Sequence, residues 1–71
     1  MKRETVMAAL QLVGAMRGSL EETHRLVDAE ALQVGDRNLI DGSLTTIENE
    51  IRVLSRTFED MLNDETKIER A

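Results

Sequence analysis

Between Leu44 and Met61 the apolar residues Leu44, Ile47, Ile51, Leu54, Phe58 and Met61 recur at alternating steps of three and four. That spacing keeps one stripe of a helix turned toward one neighbour. Every position between them is polar except Val53, so the stripe is narrow and suits a coiled-coil-like contact better than a deep globular core. Ile40 extends the stripe at one end and Ile68 at the other, with Glu65 at the seam position between Met61 and Ile68. Fraying is expected over the mostly charged segment from Asp64 to Ala71. Glu48 with Arg52 and Arg56 with Asp60 stand four apart on the outer flanks, where such pairs add about 0.2–0.5 kcal/mol each to an exposed helix.

A chain built around such a seam needs a second helix to cover it, and the first half of the sequence offers one. From Lys2 to Val34 no breaker stronger than Gly14 or Gly18 intervenes. The main stripe runs through Val6, Ala9, Val13, Met16, Leu20, Thr23, Val27 and Val34, flanked by Leu10, His24 and Ala31. Ala8, Leu12 and Ala15 form a second apolar strip on another side, so the stretch from Val6 to Met16 must be covered on more than one side. Gly14 and Gly18 have the small-xxx-small spacing, which is informative in membrane helices and weak in water.

Gly35 followed by Asp36 reads as a helix-ending glycine in the left-handed region and then an N-cap. The expected architecture is all-α, an antiparallel helical hairpin in a single domain spanning 1–71. Helix 1 is placed at about 2–34, the turn at about 35–36 and helix 2 at about 37–68. A start at Asp41 or Ser43, helped by Gly42, is the alternative for the second helix. The tight turn leaves two helices of nearly equal length.

At 71 residues with no cysteine and one histidine, neither a disulfide nor a structural zinc site, which takes four Cys or His ligands, can staple the fold. Chains of this size draw only about 3–5 kcal/mol from a lone core. A second copy is the remaining staple. Two hairpins joined by twofold symmetry into a four-helix bundle would cover the surplus apolar area of the first helix. The residues expected at that interface are Val6, Ala9, Leu10, Leu12, Val13, Ala15, Met16 and Leu20, with Leu44 to Met61 as the hairpin seam. Absence of proline and a single aromatic, Phe58, fit helix rather than strand.

The formal net charge of -5 is poor equipment for neutralising phosphates, so direct nucleic-acid binding is not expected. No apolar run is long enough to span a bilayer, and Lys2, Arg3 and Glu4 do not lead into a signal-peptide core. A cytoplasmic location is expected. Glu21 and His24 form a Glu-x-x-His pair of the kind used in dimetal bundles, but the seam of the second helix supplies no inward carboxylate, so neither metal nor cofactor is expected. Ser19, Ser43 and Ser55 are not placed to pair with His24 as a nucleophile, and no phosphate loop is present.

The function these features imply is a homo-oligomeric, non-catalytic helical protein that acts by protein–protein binding as an adaptor, regulator or inhibitor. A second reading is an acidic nucleic-acid mimic, drawing on Glu21 with Glu22, Glu59 with Asp60 and Asp64 with Glu65. Arg17, Arg25, Arg52 and Arg56 interrupt that acidic character. A third is an oligomer that sequesters a small anion through Arg17 or Arg25.

Overall fold

In the computed structural model, which describes residues 1–64, two helices form an antiparallel hairpin: α1 (Arg3–Asp28) and α2 (Val34–Asn63). No strand occurs among the described residues. Val13, Leu20, Leu44 and Ile51 form the buried cluster between the helices, with Ile40 and Phe58 packed against it, and Val6 is fully buried nearer the start of α1. The buried residues of α1 stand seven apart, as do Leu44, Ile51 and Phe58 of α2. This is the heptad spacing of a two-helix seam.

The register is marked by a bond across the helices, from the Arg17 guanidinium to Ser55 Oγ at 3.0 Å. Counting outward from that pair brings Leu20 level with Ile51, and Val13 level with Phe58, to within one residue.

The turn lies earlier than the Gly35–Asp36 signal predicts. α1 ends at Asp28, residues 29–33 connect, and Gly35 sits inside the first turn of α2 without a positive φ. Asp36 is therefore not the N-cap. Gln33 holds that position with extended backbone, and Asp36 lies in the first turn, where its charge complements the helix dipole. The later start at Asp41 or Ser43 does not occur either. At the far end α2 stops at Asn63, because Asp64 is extended. Expectations for Glu65, Ile68 and the remaining segment 65–71 lie outside the described residues.

Arg37 provides the physical reason for the early turn. Its guanidinium donates to the Glu30 carbonyl at 3.0 Å and to Asp28 Oδ1 at 3.5 Å, tying the first turn of α2 back over the connection. Leu32 in the connection is half-buried.

Because the register is unchanged while the turn is early, the start of α2 overhangs the end of α1. By the same register Asn63 stands level with Ala9, so the start of α1 likewise extends past the end of α2, and the long axis of 53 Å exceeds the about 45 Å of a 30-residue helix at 1.5 Å per residue. Val34 and Leu39 on the overhang are largely exposed.

Candidate interaction surface

Helical spacing divides the hairpin into two unlike broad faces. On α1, Thr5, Ala8, Leu12, Ala15, Ser19, Thr23 and Leu26 follow one another at steps of three and four, with Met16 beside them. No charged residue interrupts that stripe. On α2, Leu39, Ser43, Thr46, Ile47, Leu54 and Met61 share the corresponding side with one charge, Glu50, among them, while Val53 and Thr57 border a depression that Arg52, Arg56 and Asp60 also line.

The two stripes meet. Leu12, Ala15, Met16 and Ser19 from α1 and Ile47 from α2 line a shallow groove floored by Leu20 and Ile51. A second depression, lined by Leu39, Gly42, Ser43, Thr46 and Ile47, continues it along α2. Leu12 is 67% exposed, Ile47 48%, Met16 45% and Leu54 41%.

The threonines on this face complete its character. Thr23 Oγ1 donates to the Ser19 carbonyl at 2.9 Å, Thr46 to Gly42 at 3.0 Å and Thr57 to Val53 at 2.8 Å. Each hydroxyl is satisfied within its own helix, which leaves the methyl free to meet a neighbour. Covering these residues then strands no donor, and stranding one costs about 1–3 kcal/mol.

The opposite edge is polar. Arg17, Glu21 and His24 of α1 and Glu48 and Arg52 of α2 line a cleft of about 280 Å³. Glu48 thus comes to the same cleft as Glu21 and His24, although seam spacing had set it aside. Two arginines share that cleft, and no group of three or more His, Cys, Asp or Glu able to hold a metal occurs among the described residues. The alternation of sign along this edge is that of a solvated face, and it gives neither an acidic mimic nor an anion site a surface of one sign.

The residues expected at an interface between copies separate into three groups. Val6, Val13 and Leu20 are buried inside the hairpin itself, and Ala9 and Leu10 are half-buried. Leu12, Ala15 and Met16 are exposed on the apolar face. Of the hairpin seam, Leu44 and Ile51 are buried and Phe58 and Met61 half-buried, whereas Ile47 and Leu54 turn partly outward.

Among the described residues the ion pairs that spacing suggests, Glu48 with Arg52 and Arg56 with Asp60, do not form, whereas Arg25 pairs with Glu22 and Arg37 with Asp28. A Cβ built on Gly14 or Gly18 meets nothing within 4 Å, so neither glycine serves a close helix approach within the hairpin. What the sequence concealed was the α2 part of the apolar face, where Leu39, Ile47 and Leu54 stand exposed.

No helix among the described residues is long and apolar enough to cross a membrane. No known protein family, curated protein or solved structure matches the chain.

Proposed function

We propose that this hairpin is a homo-oligomeric protein that acts by binding protein surfaces, its own first, and that it catalyses no reaction. Two hairpins stack through their apolar faces into a four-helix bundle, and the bundle serves as an adaptor, regulator or inhibitor. The observation that carries this reading is the face on which Leu12, Met16, Ile47 and Leu54 stand exposed with one charge among them. Contiguous apolar surface of that kind marks an interaction site.

The size of the internal core points the same way. Among the described residues five hydrophobic side chains are buried, few for two long helices held together in water, since isolated helices draw their stability from packing. A second copy roughly doubles the packed layers without enlarging the chain.

The test is sedimentation equilibrium with melting curves at two protein concentrations. The wild type is expected to be a dimer at micromolar concentration, with a midpoint that rises with concentration. Ala15→Glu places a charge on the exposed face and away from the hairpin's own core. It is expected to split the dimer and lower the midpoint, because a charge buried unpaired in a contact costs about 3–5 kcal/mol. A well-folded wild-type monomer at micromolar concentration overturns the proposal. So does an Ala15→Glu variant of unchanged mass and midpoint.

A further inference from the structure

The charge-free stripe of α1 is complementary to itself when reversed. The midpoint of α1 falls between Ala15 and Met16, since the helix runs from Arg3 to Asp28. Turning a second α1 end for end about that point sets Leu12 against Ser19, Met16 against Ala15 and Leu26 against Thr5. Each of these contacts opposes a large side chain to a small one, as interdigitating layers require. The remaining position on the stripe pairs Ala8 with Thr23, two small residues whose contact lets the backbones approach.

From this we infer that the partner on the apolar face is a second copy packed with α1 antiparallel to α1, about a twofold axis lying between Ala15 and Met16, with the two connections at opposite ends. The inference rests on the self-association proposed above and assigns its symmetry. In this arrangement the two α1 helices overlap over their full length, and the overhanging starts of α2 project beyond the overlap at either end.

The α1 helices overlap over about 39 Å at 1.5 Å per residue and the α2 helices over about 21 Å, between Glu50 and Asn63; at about 10 Å of width for each helix pair this is roughly 600 Å² per copy. That is the lower end of the share each partner contributes to a stable interface. The internally bonded hydroxyls of Thr23 and Thr57 lower the cost of covering it.

Chemistry favours a copy of this chain over an unlike partner of charged character. The face offers no arginine, lysine or histidine to bind an acidic partner, and its one acid, Glu50, stands among the members of the α2 stripe. A symmetric contact asks only that a surface match itself.

Cysteine cross-linking reads the arrangement directly, because the chain has no cysteine of its own. Ala15→Cys brings two thiols together across the axis and is expected to form a covalent dimer under mild oxidation, several-fold faster than Thr45→Cys on the other side of α2. The cross-linked species should keep the helical circular dichroism of the wild type and lose the concentration dependence of its melting midpoint.

The other face-to-face arrangement, with both connections at one end, sets α1 against α2 of the second copy and brings Ala15 level with Thr57. Suppose the wild type sediments as a dimer, Ala15→Cys stays uncross-linked, and Ala15→Cys mixed with Thr57→Cys gives the covalent product. The symmetry inferred here is then overturned while self-association stands. A wild-type monomer overturns both.

Discussion

Gly35 shows how one residue type can carry two opposite signals. A glycine followed by an aspartate reads as the end of one helix and the cap of the next, yet the same pair fits the second and third positions of a helix, where Asp36 meets the positive end of the dipole. The two readings differ in sign on substitution. In the left-handed region a Cβ is strained, whereas in a helical turn it removes unfolded-state freedom. Gly35 has no positive φ, and a Cβ there meets nothing within 4 Å. Gly35→Ala is therefore expected to stabilise the protein by about 0.5–1 kcal/mol, measured as a higher urea midpoint. A lower midpoint would restore the turn to Gly35. Thr23, Thr46 and Thr57 teach a related lesson, because a threonine counted as polar in a sequence pattern presents a methyl once its hydroxyl is bonded to its own helix.

At the scale of the elements, the two helices and their pairing were legible because the stripes of Val6, Val13 and Leu20 and of Leu44, Ile51 and Phe58 repeat at one interval. The pairing survived an error in the turn. A chain folded at Gly35 and Asp36 also brings Leu20 level with Ile51, so the pattern alone does not distinguish a tight turn from an early one with an overhang. What decides it is Arg37 bonding back to Glu30 and Asp28, a tertiary contact that leaves no periodic trace. Arg37→Ala is expected to cost about 1 kcal/mol, the loss of one carbonyl bond and one exposed ion pair. Arg56→Ala, which removes no ion pair, should be close to neutral in the same urea titration. Ile47 and Leu54 fit the seam by spacing, but each lies three residues past a buried one, about 60° round the helix from the line of Leu44, Ile51 and Phe58 at 3.6 residues per turn. With a single partner helix that line is covered and the residues beside it border the exposed groove.

For the whole molecule, the antiparallel dimer predicts a distance. α1 begins at one end of each hairpin, so in that dimer the two copies of Lys2 lie at opposite ends of the overlap, about 40 Å apart along the helix axis at 1.5 Å per residue. Dyes attached at Lys2→Cys should show energy transfer set by that separation, and transfer close to complete would place both starts at one end. The overhang of α2 adds to the length between the tips. Read as engineering, such an assembly is a stiff two-ended strut: whatever is attached at the start of α1 in one copy points away from its counterpart in the other. A strut of this kind holds two bodies at a set spacing and bridges them, where the same hairpins stacked with both connections at one end would instead gather their cargo on a single side.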